Sequence, residues 1–337
     1  MTIKTKLLAA SLAALLTTPA LAEDVTIKFS AFVSERNPIF ACSMMPLVEE
    51  LEANEGTKVK VERYFGGSGF GSADAQYDMA SRGITDISFG MLTYNEGVHP
   101  LSEIIAIPFM MNNHEKATQV LNDVVLPEFL QDELGDVKVI NLWLTSPYQF
   151  HMRSEVPDLT NLDGLRVRTA GEVQLAALSA LGAQVASFPA PQTYENLQKG
   201  VIDGTLATWT TATAFKVGEV AKVHYEVNFG GAVGFTVMNR DTYDGLPDDV
   251  KAIIDRHSGT PASMKVAGCF TATDKKAKAK WTDAGNKAIT VDAETRAAMA
   301  EKVKPVIDTY LQRLADDGLP AFKVRDRIVE ELGKVGG

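Results

Sequence analysis

The chain has 337 residues, 45% of them hydrophobic, 23% charged and 8% aromatic; these proportions describe an ordinary globular protein and exclude disordered, collagen-like and polytopic membrane classes. At roughly 100–200 residues per domain, the length predicts two domains, each able to bury its own core. Lysine and arginine total 33 against 43 acidic residues, a net charge of −10 with no basic stripe. Nucleic acid is therefore not an expected partner, and any anion must be held locally against the global field.

Lys4 and Lys6 precede an apolar run from Leu7 to Leu16, broken only by Ser11, and Ala20-Leu21-Ala22 follows. A charged start, a short apolar core and an A-x-A end predict a cleaved secretory signal over residues 1–22, cut after Ala22. The run is too short to cross ~30 Å of hydrocarbon. The product is expected in a bacterial periplasm or outside the cell. In that oxidising compartment Cys42 and Cys269 are candidates for one disulfide, the alternative being two buried thiols. His99, His114, His151, His224 and His257 are scattered without ligand spacing, so neither a metal nor a cofactor is expected.

Val25, Ile27, Phe29 and Ala31 alternate with polar residues, which predicts a half-buried strand. Pro38 opens a helix expected to reach Ala53, and Val59 and Val61 mark a second strand. A turn at Gly66–Gly71, a helix at Ala73–Ser81 and a strand at Ile84–Phe89 complete a βαβ unit, so the sheet is at least partly parallel. A helix at Glu115–Glu133 and a strand at Val137–Leu144 continue the alternation. The second set comprises a strand at Leu165–Thr169, a helix at Val173–Leu181, a short strand near Val185, a helix at Tyr194–Gln198 and a strand from Thr205 toward Trp209. Gly230–Gly234 reads as a flexible crossing, followed by a strand at Phe235–Met238, a helix from about Pro247 and a mostly helical tail with one strand near Ala288–Val291. Two α/β lobes joined by several short crossings fit this pattern.

The Gly66–Gly71 loop sits where a phosphate loop would, but it misses both G-x-G-x-x-G and the P-loop Lys-Ser/Thr, and reads as a tight turn. No zinc-protease helix starts at His114-Glu115, and no nucleophile elbow surrounds Ser68. Catalysis is therefore not expected. In Gly164-Leu165-Arg166-Val167-Arg168, period 2 puts both arginines on one side of a strand. A guanidinium on a rigid strand suits a bidentate grip on an acid group, while the ordinary alternative is a solvated edge arginine.

The run Asn161-Leu162-Asp163-Gly164-Leu165-Arg166-Val167-Arg168, then Leu181-Gly182-Ala183, then Tyr194-Glu195-Asn196-Leu197-Gln198-Lys199-Gly200-Val201-Ile202-Asp203-Gly204 resembles the core of the extracytoplasmic solute-binding proteins of tripartite ATP-independent periplasmic (TRAP) transporters. Ile27-Lys28-Phe29, Ile84-Thr85-Asp86-Ile87 and Leu246-Pro247-Asp248-Asp249-Val250 extend the resemblance across the chain. It implies a two-lobed periplasmic-binding-protein fold, each lobe a mixed sheet flanked by helices, with a long helix spanning both and a cleft that closes on one ligand. Lobe I is expected over 23–145 plus about 234–272, and lobe II over 146–233 plus about 273–337.

Arg168 matches the family's G-L-x-x-R arginine, which implies that it binds the ligand's acid group, with Arg166 supporting the surface. Tyr148-Gln149 stands where sialic-acid-type members carry a second arginine, and just after Asp203-Gly204, where many have a glutamate or asparagine, this chain reads Thr205-Leu206-Ala207-Thr208-Trp209. Hydroxyls and an aromatic thus replace charged and amide contacts, which predicts a small, partly apolar or aromatic organic acid. Phe32, Met91, Thr93, Tyr94, Trp143, Tyr148, Gln149, Thr208 and Trp209 are the further candidates for the cleft. The implied partners are a small organic anion and the membrane subunits of a TRAP transporter, the receptor itself being expected as a monomer. A sulfonate ligand and a sensor-kinase receptor are the alternatives.

Overall fold

The computed structural model describes residues 24–334 apart from Gly67; the expected signal, Met1–Ala22, lies outside the described residues. β1 (Val25–Ala31) turns Ile27, Phe29 and Ala31 fully inward, as its alternation predicts. The helix expected over Pro38–Ala53 is two, Pro38–Ser43 and Met45–Glu52. Pro46 has no N–H to return to Cys42, so the hydrogen-bond ladder breaks there. β2 (Val59–Phe65), β3 (Ile87–Met91) and β4 (Val137–Leu144) follow.

The chain then builds a second sheet from β5 (Gln149–Met152), β6 (Arg166–Thr169), β7 (Gln184–Ser187), β8 (Gly204–Ala207) and β9 (Val223–Glu226). It returns for β10 (Val233–Asn239) and closes with β11 (Lys287–Thr290). The first sheet has the order β2-β1-β3-β10-β4 and the second β11-β9-β5-β8-β6-β7. Both are mixed: β1 runs parallel to β2 and β3, whereas β10 is antiparallel to β3 and β4. All seven residues of β10 are buried, as in a strand covered on both faces.

β5 and β9 are not legible in the sequence, because each is four residues long and carries a histidine. They exist because they pair with each other, which sets His151 against His224 inside the second lobe. The Nδ1 atoms lie 2.8 Å apart, His151 Nε2 is 3.1 Å from the Ala207 carbonyl, and His224 Nε2 is 3.1 Å from Asn286 Nδ2. Asn286 can only donate there, so His224 Nδ1–H donates to His151, which donates in turn to Ala207. Burial holds the two imidazoles at about 3 for His151 and about 4 for His224, so both stay neutral.

The two crossings run side by side. Thr145 N–H donates to Ala232 O (3.0 Å), Tyr148 N–H to Gly230 O (2.8 Å) and Phe229 N–H to Tyr148 O (2.9 Å). Gly230 has φ +80°, and a Cβ there would come within 2.6 Å of Ala106 O. The third connection is the 25-residue helix Gly259–Asp283, which packs on Pro38–Ser43 and β4 in the first lobe and on the helix Trp209–Ala214 in the second. Cys269 on this helix forms the disulfide with Cys42. Further along it, buried Asp274 accepts from Ser146 Oγ at 2.5 Å and Thr210 N–H at 2.7 Å, tying it to a crossing and to the second lobe.

The helix Ala293–Asp316 packs on Glu172–Ala180, but the last helix, Ala321–Lys334, returns to the first lobe. Its Arg327 pairs with Glu128 at 3.2 Å. The expected extension of lobe II to residue 337 thus stops short of this helix, whose apolar stripe, including Val324 and Ile328, is buried on the helices preceding β4.

Candidate ligand cleft

The two arginines of β6 have different partners. Arg166 donates from Nε and Nη2 to the Asp203 carboxylate at 2.9 and 2.8 Å, at the surface. Arg168 is 3% exposed, and no carboxylate among the described residues pairs with it. Its Nε donates to the Phe188 carbonyl at 2.7 Å, Nη2 donates to the same oxygen, and its Cζ lies 5.6 Å from the Phe188 ring centroid. One edge of the guanidinium is thus fixed by backbone, and the Nη end remains to bind an anion.

Arg168 lines a cleft between the two sheets. The first lobe contributes Phe32, Val33, Asn37 and Ile39 after β1, Phe89, Met91 and Tyr94 at the end of β3, and Trp143 and Thr145 at the end of β4. Phe270 reaches in from the long helix. Tyr148 and Ala190 join from the second lobe, with Leu206, Ala207, Thr210, Thr211, Ala214 and Phe215 from β8 and the helix after it. Most come from the carboxyl ends of strands, where α/β sheets leave a crevice. Arg168 is the only formally charged residue in this lining.

An aromatic wall runs through Phe89, Trp143 and Phe270: both pairs of ring centroids are 5.4 Å apart, with interplanar angles of 23° and 35°. Gly234 makes the wall possible, since a Cβ there would fall 2.2 Å from the Trp143 ring. Phe32 meets Tyr94 edge-on at 5.6 Å.

Of the residues read from sequence, Arg168, Tyr148, Phe32, Tyr94, Met91 and Trp143 meet in this cleft, whereas Gln149, Thr208, Trp209 and Thr93 are not part of its lining. Gln149 follows Tyr148 on an extended strand and points the other way. Its Nε2 donates to Asn228 Oδ1 at 2.7 Å, and its Oε1 accepts from Asn228 N–H at 3.1 Å. Thr208 is a helix N-cap, accepting from Thr211 N–H at 2.9 Å. Trp209, expected to end a strand, begins that helix instead and packs on His151, His224 and Trp281. Thr210, Thr211, Ala214 and Phe215 take the place expected for them. The capping chemistry of Thr208 signalled this switch from period 2 to period 3.6. Phe270 had no signal of its own beyond its position next to Cys269.

The electrostatics of the cleft are set by burial. It raises the Tyr148 phenol above the usual range despite the nearby Arg168 charge, so Tyr148 is a hydrogen-bond donor. Behind the lining, Glu103 is 2% exposed and its Oε2 has no partner. Burial raises its carboxyl to about 8, although the Val173 and Glu172 backbone N–H groups at the start of Glu172–Ala180 oppose the shift.

Two lobes bridged by paired crossings, with one charged group in the cleft between them, have the layout of a protein that encloses a small solute. Residues 29–313 match the model of the bacterial extracellular solute-binding proteins, family 7, and the chain belongs to that family. The C4-dicarboxylate-binding periplasmic protein DctP of Rhodobacter capsulatus is 27% identical over 325 residues, covering 94% of this chain and 95% of that protein. Among solved structures, a TRAP solute-binding protein from Rhodoferax ferrireducens, in complex with benzoate, superposes with a TM-score of 0.86 at 24% identity, covering 92% of this chain and 98% of that one. A marine metagenome TRAP solute-binding protein specific for aromatic acid ligands, with 3-hydroxybenzoate, gives 0.88 at 24% identity over 93% and 99%. These similarities confirm the two-lobed fold.

Proposed function

We propose that this chain is a periplasmic receptor for a small aromatic monocarboxylate, which it captures between its lobes and delivers to the membrane subunits of a TRAP-type transporter. One observation carries the reading: a single buried guanidinium, without an acidic partner, in a cleft otherwise lined by aromatic rings, aliphatic groups, hydroxyls and one amide. A C4-dicarboxylate would leave its second carboxylate without a cation, and an unpaired buried charge is strongly unfavourable. A sugar acid would leave several hydroxyls facing Phe89, Trp143 and Phe270, at about 1–3 kcal/mol for each unmet hydrogen bond. A benzoate-like ring finds flat partners there while its carboxylate meets Arg168. In this reading the protein binds and releases its ligand without changing it, as the solute-binding family implies. The first 22 residues serve as the export signal, and N-terminal sequencing of the secreted protein should begin at Glu23.

The test is a thermal-shift comparison of ligand-stripped protein with benzoate, 3-hydroxybenzoate, mandelate, benzenesulfonate, succinate and glucuronate. A ligand at ~1,000 times its Kd adds about 4 kcal/mol, enough to raise the midpoint by several degrees. The expected result is a rise with the aromatic carboxylates that is absent in Arg168→Ala. A response to succinate alone would overturn the monocarboxylate reading, and one to benzenesulfonate alone would change the acid group. An unaltered response in Arg168→Ala would remove Arg168 as the anchor.

A further inference from the structure

Tyr94 belongs to the first lobe, yet its phenol oxygen accepts from the Ala190 N–H of the second lobe at 3.2 Å. Ala190 closes the tripeptide Phe188-Pro189-Ala190, whose other end supplies the carbonyl that fixes Arg168. Pro189 stiffens this link, with φ −61° and ψ 149°. Guanidinium and phenol are therefore held on one short frame, although they come from different lobes. A neighbouring contact, Ser187 Oγ to Glu96, ties the same segment to the first lobe. A phenol has one proton to give and two lone pairs. The Tyr94 oxygen spends a lone pair on Ala190, while its proton has no acceptor among the described residues and the side chain faces the cleft.

We propose that Tyr94 is the residue through which the first lobe senses the bound acid: its O–H donates to the ligand's acid group while its oxygen holds Ala190, so one phenol latches the cleft shut only when an anion is present. The latch rests on the reading of Arg168 as the acid anchor, and adds a closure signal to it. Opening the lobes breaks the Ala190 contact, so the latch acts on the lifetime of the closed complex rather than on encounter.

The experiment is stopped-flow binding of benzoate, following tryptophan fluorescence, for wild type, Tyr94→Phe, Ala190→Pro, the double variant and Arg168→Ala. Ala190 is the first residue of a 3-10 turn, where proline is accommodated, but the proline Cδ of Ala190→Pro takes the place of the hydrogen and meets the Tyr94 oxygen, so this variant is read together with the double variant, in which that oxygen is gone. Tyr94→Phe, which loses both bonds, should raise the dissociation rate tenfold or more, and Ala190→Pro, which loses one, should raise it about tenfold. The association rate and the ligand-free melting temperature should stay unchanged. The double variant should dissociate no faster than Tyr94→Phe by more than about threefold, because both changes break one linkage. Equal dissociation rates in wild type and Tyr94→Phe, fully additive effects, or a loss confined to the association rate would overturn the latch. If Arg168→Ala abolishes binding while Tyr94→Phe behaves as wild type, the latch alone fails. If Arg168→Ala binds benzoate as wild type does, the reading of Arg168 as the acid anchor fails and takes the latch with it.

Discussion

Arg166 and Arg168 are two residues apart on one strand and have opposite fates. Both face the same side by strand period, but Asp203 neutralises Arg166 at the surface while Arg168 lies 3% exposed against the carbonyl and ring of Phe188. A buried guanidinium without a carboxylate is costly unless an anion completes it, and in the proposed function the ligand's acid group is that anion. Glu103 presents the inverse case, a carboxyl sealed in without a cation. The folded protein keeps its proton up to about pH 8, whereas the unfolded chain releases it near the ordinary glutamate value. Between those limits the folded state binds more protons, so stability falls as pH rises through this window and levels off above it. Glu103→Gln removes that dependence. Melting curves from pH 5 to 9 should show the variant gaining on wild type with rising pH, by on the order of 2–4 kcal/mol at the alkaline end. A constant difference across the range would mean that Glu103 is ionised throughout.

At the scale of elements, legibility depends on how many residues report the same state. β1 and β4 are seven and eight residues long with consistent apolar patterning, and their sequence-based bounds match the structure. β5 and β9 have four residues each and are defined by partners distant in sequence, so local pattern cannot reveal them. The helix Trp209–Ala214 is not legible in the sequence because tryptophan favours strands and a threonine at 208 suits a ligand contact as well as a helix cap. The disulfide joins the helix Pro38–Ser43 to the long helix, and both carry cleft residues, Ile39 and Phe270. Replacing Cys42 and Cys269 by alanine should cost about 2–4 kcal/mol of stability. Titration calorimetry should also show weaker benzoate binding, since the aromatic wall loses its brace; unchanged affinity would show that packing alone positions Phe270.

On the scale of the whole molecule, the first lobe meets the second through the paired crossings, the long helix and the contacts around Tyr94 and Ala190. The first two are continuous backbone and persist when the lobes part; the third forms only in the closed arrangement. On the proposed function, closure is a rotation about the 144–149 and 227–233 segments, where Gly230 and Gly231 would absorb the dihedral change. Small-angle scattering should show the radius of gyration of ligand-stripped wild type falling when benzoate is added, with a smaller fall for Tyr94→Phe. An identical radius with and without ligand would mean that the cleft is preformed. The sequence by itself determined the family, the α/β alternation, the pairing of the cysteines as a candidate and Arg168 as the arginine proposed to anchor the acid, because these rest on local period and on an ordered motif. Tertiary structure alone decided that Trp209 turns away from the cleft, that Phe270 enters it, that Gly234 admits Trp143 and that the last helix returns to the first lobe. Each of those outcomes depends on a neighbour brought close by folding, and a sequence carries no record of that neighbour until the chain has packed.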